Sequence, residues 1–232
     1  MHILLTRSLE DCLETIFKFK SLGHQVSHLP LLTVEKMNYE EINFHDYGGI
    51  IFTSVNAIKY LDLNKINKNI MCFCVGGITE KKARNTGFQN TIAAEGNVQN
   101  LKELILRNYL SKSKPLLYIS GEIISVDLDQ QLINEGYSVK RIINYRVRHI
   151  EKFDENFVKE LKANMPDIAY VYSQNSALSF LNFIKIYQIE NLWMNTNLMC
   201  IGEKTSSIMN EIKWKKIFLF NPGDEEFLLY KI

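Results

Sequence analysis

Short wholly apolar runs alternate along this chain with stretches in which apolar residues recur every three or four positions. The run 3–6 is apolar and ends at Thr6-Arg7-Ser8. Leu9, Leu13, Ile16, Phe17 and Phe19 then follow at helical spacing, with Glu10, Asp11 and Glu14 near the start, so the pattern predicts a helix over 9–22 that stops at Gly23. A strand over 25–29, punctuated by Pro30, completes a β-α-β unit. From 31 onward the pattern loosens, with only short alternation over 33–36. The run 49–53 is fully apolar, as buried parallel strands are. A helix over 56–63, a strand over 70–75 and a helix over 79–85, ended by Gly87, come next. Val98, Leu101, Leu104 and Ile105 share one face of a predicted helix over 97–109. The first half closes with a strand over 116–119, a helix over 126–135 that stops at Gly136, and a strand over 139–147. In the second half, 157–161, 176–187 and 205–212 read as helical and 168–172, 198–201 and 216–220 as strands, with a closing helical turn over 225–230. The expected fold is α/β, with parallel sheets flanked by helices on both faces.

A two-part motif occurs twice in this pattern. Gly49-Ile-Ile-Phe-Thr-Ser54-Val-Asn56 and, later, Cys74-Val-Gly76-Gly-Ile-Thr79 stand in the first half. Ile168-Ala-Tyr-Val-Tyr-Ser173-Gln-Asn175 and Cys200-Ile-Gly202-Glu-Lys-Thr205 stand in the second. Each copy is an apolar strand ending in Ser-x-Asn, a helix, a strand ending in Gly-x-x-Thr, and another helix. A repeat of this size implies two similar α/β domains. In parallel sheets ligands sit at the carboxyl ends of strands, where helix N-termini offer unpaired N–H groups and favour anions. Two anion-receptive domains facing one another across a ligand cleft are therefore expected.

Composition narrows the reading. Apolar residues make up 46% of the 232 and charged residues 23%, proportions of a globular protein. A net charge of +1 argues against nucleic acid, whose binders carry a basic surplus, but leaves helix N-termini free to bind anions. No apolar run is long enough to span a membrane, and the opening Met1-His2-Ile3-Leu4 reads as a strand rather than a leader. Cys72 and Cys74 point to one face of a strand and, with Cys12 and Cys200, read as packed thiols. His2, His24, His28, His45 and His149 make no metal-ligand spacing, so no metal is expected.

Ser54, Asn56, Thr79, Gly121, Ser173, Asn175 and Thr205 all fall at strand-to-helix turns. Each could simply cap a helix; as a set at matching positions they form a ligand surface. Gly76 and Gly202 suit close approach of a ligand to the backbone, or a tight turn without one. Neither glycine sits in a G-x-G-x-x-G or Walker A pattern, so a nucleotide site is not expected. Glu122 reads as solvent-exposed, and Tyr145 can be read as a core tyrosine with a satisfied hydroxyl.

The order Gly48-Gly-Ile-Ile-Phe-Thr-Ser54, Val75-Gly76-x-x-Thr79, Gly121 after an apolar strand, Tyr145 after Ile142-Ile-Asn, Tyr172-Ser173 and Ile201-Gly202-x-x-Thr205, with Leu4-Leu-Thr-Arg7 and Pro30, resembles uroporphyrinogen-III synthase over nearly the whole chain. The resemblance implies a discontinuous first domain of 1–34 plus 151–232 and an inserted domain of 35–150, linked through the loose stretches 31–39 and 148–153. It implies cyclisation of hydroxymethylbilane to uroporphyrinogen III, with loss of water, inversion of the last ring and no cofactor. Tyr145 takes the place of the family tyrosine suspected as the acid. Thr6, Arg7, Ser54, Asn56, Gly76, Thr79, Gly121, Ser173, Asn175, Gly202 and Thr205 are implied to meet the polycarboxylate substrate. Val55, Gln174 and Glu203 stand where many members carry proline, and Ser125 is nearest the position of a frequent arginine. A cytoplasmic monomer with a small-molecule substrate is expected, with no nucleic-acid or membrane partner. A silent tetrapyrrole- or anion-binding module of the same fold, or a receptor for another small anion, remains the alternative.

Overall fold

The structure, a computed structural model, describes residues 1–110, 113–221 and 224–226. In chain order its elements are β1 (His2–Leu5), α1 (Leu9–Ser21), β2 (Gln25–His28), β3 (Leu32–Lys36), β4 (Gly49–Phe52), α2 (Val55–Lys59), β5 (Met71–Val75), α3 (Gly76–Asn85), β6 (Thr91–Ala94), α4 (Val98–Asn108), β7 (Leu116–Gly121), α5 (Leu128–Asn134), β8 (Val139–His149), α6 (Glu155–Ala163), β9 (Ile168–Val171), α7 (Gln174–Ile186), β10 (Asn197–Ile201), α8 (Gly202–Met209) and β11 (Lys216–Phe220). Of the helical turn expected over 225–230, the last four positions lie outside the described residues.

The chain divides into two units, Met1–Thr33 with Arg148–Ile232, and Val34–Val147. In the first unit five strands lie in the order β11-β10-β9-β1-β2. β1 runs parallel to both β2 and β9, pairing Ile3 with Val26 on one side and with Ile168 on the other. This sheet is thus built from both ends of the sequence. Its two faces carry separate cores: Leu4, Ala169, Val171 and Leu198 pack with Phe180, Phe183 and Trp193, while Ile3, Leu5, Tyr170 and Met199 pack with Cys12, Ile16 and Phe19 of α1. Sequential residues of one strand enter opposite cores because side chains alternate across a sheet.

The second unit holds six strands in the order β3-β8-β7-β4-β5-β6. β4 lies parallel between β5 and β7, and β7 runs parallel to β8. Ile50, Phe52, Leu117 and Ile119 enter one core with Cys72, Cys74 and Tyr145. Ile51, Phe73, Leu116 and Tyr118 enter the other, with Leu101, Ile105, Leu128 and Leu132 from α4 and α5.

Two expectations change. The stretches read as linkers are partly strand: Leu32–Lys36 is β3, and β8 continues to His149, after which 150–154 is irregular. β3 is an edge strand with no fully buried residue, which leaves little periodicity to read. The strand Thr91–Ala94 was not anticipated. Ala93 and Ala94 have no strand preference of their own, and β6 is fixed by its parallel pairing with β5.

Candidate functional site

Both copies of the repeat adopt the same backbone. Ser54 and Ser173 are N-caps in extended conformation, at φ −155°, ψ 148° and φ −163°, ψ 163°. The Ser54 hydroxyl accepts from the Asn56 N–H at 3.2 Å, and that of Ser173 from the Ser176 N–H at 3.1 Å. Asn56 is half-buried and Asn175 exposed in the first turns of α2 and α7. Gly76 and Gly202 open α3 and α8 with nearly equal left-handed angles, φ +74° and φ +73°. Neither of these two helices has a side-chain cap. Two of the four repeated turns are therefore closed by their own serine, and two present bare helix N-termini at strand ends, the form of turn that receives anions. Gly77, Ile78, Glu203 and Lys204 are exposed in those first turns. Thr79 and Thr205, one turn further on, are 6% and 3% exposed and face the cores.

The carboxyl ends of β4 and β7 enclose a pocket of about 180 Å³, lined by Thr53, Ser54, Val98, Tyr118, the segment 123–126 and Tyr145. Larger hollows of about 330 Å³ beside His2 and about 310 Å³ beside Ala94 touch none of the strand-to-helix turn residues. Tyr145 is brought to the pocket by an irregularity. The pairing of β7 with β8 runs in step from Leu116 and Val139 to Ser120 and Ile143, then skips one residue so that Gly121 pairs with Tyr145. Such a bulge re-aims the side chains that follow it. The Tyr145 ring comes to lie against Gly121, where an added Cβ would stand 2.8 Å from its Cζ. Its hydroxyl makes no hydrogen bond to another described residue, so the reading of a satisfied core tyrosine is not met.

Arg141 fixes this bulge and was not anticipated. Its Nε donates to Ser120 Oγ at 2.8 Å, and one terminal nitrogen donates to the carbonyls of Gly121 at 2.9 Å and Glu122 at 3.1 Å. The Glu122 N–H in turn donates to the Tyr145 carbonyl at 2.9 Å. Glu122 itself is exposed. Tyr118 was also missed. Its phenol meets Thr53 Oγ1 at 3.2 Å, and burial pushes its pKa up, against the smaller opposing effects of that hydrogen bond and of Arg141. On the sequence it is one more apolar residue of a buried strand; only its place near the strand end marks it.

In the first unit, Thr6 is 2% exposed and donates its hydroxyl to the Tyr170 carbonyl at 2.6 Å. The Arg7 guanidinium lies 4.9 Å from the Tyr172 ring centroid and 3.8 Å from Asp11. His28 contacts the Arg7 carbonyl at 2.8 Å. All four cysteines are free and buried; burial pushes the Cys74 and Cys200 thiols up to about 12, leaving them protonated. Among the described residues no group of His, Cys, Asp and Glu is arranged to hold a metal ion.

The sequence profile described as uroporphyrinogen-III synthase HemD matches residues 14–219. Two solved structures share the fold over nearly their whole lengths. One is uroporphyrinogen-III synthetase from Helicobacter pylori, at 19% identity and a TM-score of 0.66, with 100% of this chain and 99% of that chain covered. The other is a mutant uroporphyrinogen III synthase from Thermus thermophilus, at 14% identity and a TM-score of 0.59, with 100% and 97% covered. No curated protein sequence matches the chain.

Proposed function

The chain belongs to the uroporphyrinogen-III synthase family, and we propose that the pocket around Tyr145 is where it holds the reacting terminal ring. The family reaction is a lyase step of tetrapyrrole biosynthesis: hydroxymethylbilane closes to uroporphyrinogen III with loss of water and inversion of the last pyrrole ring. The observation that carries the site is the Tyr145 ring seated on Gly121 at the end of β7, on the wall of a pocket formed by strand ends. At about 180 Å³ the pocket is smaller than the ~300–1,000 Å³ that whole ligands occupy, and suits one ring of a linear tetrapyrrole.

Tyr145 is the acid in this reading. The hydroxymethyl C–O bond breaks as electrons from the pyrrole nitrogen push out the oxygen, which takes the Tyr145 proton and leaves as water. The substituted carbon of the last ring attacks the carbon so exposed, giving a spiro intermediate. The bond from that substituted carbon to the methylene of the third ring then breaks, and the free α-carbon on the other side of the ring nitrogen closes onto that methylene, which inverts the ring. The proton shed as the ring regains its aromaticity returns to the Tyr145 oxygen, so one water leaves and the enzyme is restored. What the protein adds is position: a ring held in one pose closes at one carbon.

The bare helix starts at Gly76 and Gly202 supply N–H donors for substrate carboxylates. Ser54, Asn56, Ser173 and Asn175 shape the neighbouring turns, with Thr6 and Arg7 at the end of β1. Thr79 and Thr205 act through packing of their helix starts. We read the protein as a cytoplasmic monomer. Its net charge of +1 offers no field for nucleic acid, and among the described residues no helix is long and apolar enough to cross a membrane. The test is a product assay: freshly generated hydroxymethylbilane is supplied, the products are oxidised and the uroporphyrin isomers separated. Type III above the spontaneous type I background is expected; type I alone would overturn the reading.

A further inference from the structure

Tyr118 and Tyr145 reach the same pocket from opposite faces of one sheet. Tyr118 is rooted in the core packed by α4 and α5, and Tyr145 in the core on the other side. Tyr118 is 1% exposed, so its ring is fixed and only its tip is available to the pocket. Its neighbour across the ladder is Arg141. When the Thr53 hydroxyl donates to the Tyr118 oxygen, the phenol proton stays free for a further acceptor. The pocket wall therefore offers a fixed pair of neutral hydroxyls, and the Arg141 guanidinium on the neighbouring strand is already engaged by the carbonyls of Gly121 and Glu122.

We infer that Tyr118, paired with Thr53, is a second substrate-contacting residue: it donates a hydrogen bond to a carboxylate arm of the last ring, and so helps select which carbon of that ring attacks. This rests on the reading of the Tyr145 pocket given above. A carboxylate is the acceptor such a site fits, because a neutral O–H donor replaces part of its lost hydration without burying a second anion. The phenol stays protonated across the working range, since burial raises its pKa, and a protonated phenol must donate to a carboxylate. With an arm of the last ring tied on the Tyr118 side and the leaving oxygen of the first ring on the Tyr145 side, the last ring cannot turn over before its substituted carbon attacks.

The test compares Tyr118→Phe, Thr53→Val, Thr53→Ser and Tyr145→Phe with the wild-type chain in the isomer assay, with kcat and KM taken from initial rates corrected for spontaneous closure. Tyr118→Phe removes one oxygen and keeps the ring in its core. It is expected to lower kcat/KM about tenfold, the worth of one hydrogen bond, with KM raised more than kcat is lowered and a larger share of type I product. Thr53→Val should reproduce the defect, Thr53→Ser should restore wild-type values, and all four variants should melt with the wild-type chain. If Tyr118→Phe keeps wild-type kcat/KM and isomer ratio while Tyr145→Phe is impaired, the inference falls and the Tyr145 site stands. If the wild-type chain gives type I alone, both fall together.

Discussion

The ring of Tyr145 rests on the α-carbon of Gly121. A methyl group there would stand 2.8 Å from its Cζ, 2.9 Å from Cε2 and 3.0 Å from the hydroxyl oxygen. Gly121→Ala must therefore displace the ring whose hydroxyl lines the pocket. Overpacking of this kind costs about 1–3 kcal/mol. We expect lowered thermal stability and a fall in type III production of about tenfold or more, read by calorimetry and the isomer assay. Unchanged turnover in Gly121→Ala would show that the position of the ring does not matter.

Tyr145→Phe keeps the ring against Gly121 and removes only the acid. Loss of a general acid costs roughly 10²–10⁴-fold in rate. The fall should appear in kcat with little change in melting temperature. Wild-type kinetics would remove Tyr145 from the mechanism.

At Gly76 and Gly202 a Cβ would meet nothing within 4 Å, so only the backbone resists a side chain. With φ at +74° and +73°, alanine carries a strain of about 1–2 kcal/mol. For a chain of this size each kcal/mol lowers Tm by roughly 2–4 °C. Gly76→Ala and Gly202→Ala should each show that shift, and equal shifts would confirm that the two turns are built alike.

Lys68 Nζ is buried with no hydrogen-bond partner among the described residues and lies 4.4 Å from the Phe88 ring centroid. Burial pulls its pKa down. An amine held in apolar surroundings costs stability that an isosteric thioether would not. Lys68→Met should melt at or above the wild-type temperature, and a lower melting temperature would show that the cation–π contact outweighs desolvation.

His2 is buried with its Nε2 at 2.8 Å from Ser27 Oγ. Burial lowers its pKa below 6.5, outweighing the backbone carbonyls and Asp167 that act to raise it. Between the folded and unfolded pKa values the unfolded chain binds more protons, so stability rises with pH. The contribution of His2 is fully present above the unfolded value and is lost as pH falls from 6.5 towards the folded one. His2→Gln should flatten that part of the curve of melting temperature against pH.

What could be read in the sequence follows from where the information lies. Buried parallel strands such as β4 and β9 are continuous apolar runs, and amphipathic helices such as α4 carry their own period, so both were visible without tertiary context. β6 was not, because two alanines become a strand only beside β5. The repeated turns were legible as sets of residue types, but their division into serine-capped and uncapped pairs is written in backbone angles. Arg141 and Tyr118 were invisible for another reason. Arg141 acts on residues 20 and 19 positions away, through carbonyls that every residue possesses. Tyr118 reads as one more apolar position in a buried run, and only the end of β7 turns its hydroxyl into a pocket wall.

The pairing of β1 with both β2 and β9 sets an order of events during synthesis. Residues 34–147 can complete their sheet from contiguous chain while the ribosome is still at work. The opening β-α-β cannot: one side of Ile3, Leu4 and Leu5 stays unpaired until residues 168–170 emerge to lie beside them. Between the completion of residues 34–147 and the emergence of 168–170 the nascent chain carries a finished unit and an unsealed beginning, and a bare apolar strand edge is what recruits wrong partners. A stop codon between 148 and 167 would release a polypeptide with an intact second sheet and a permanently open first one, a product expected to be cleared or aggregated rather than partly active.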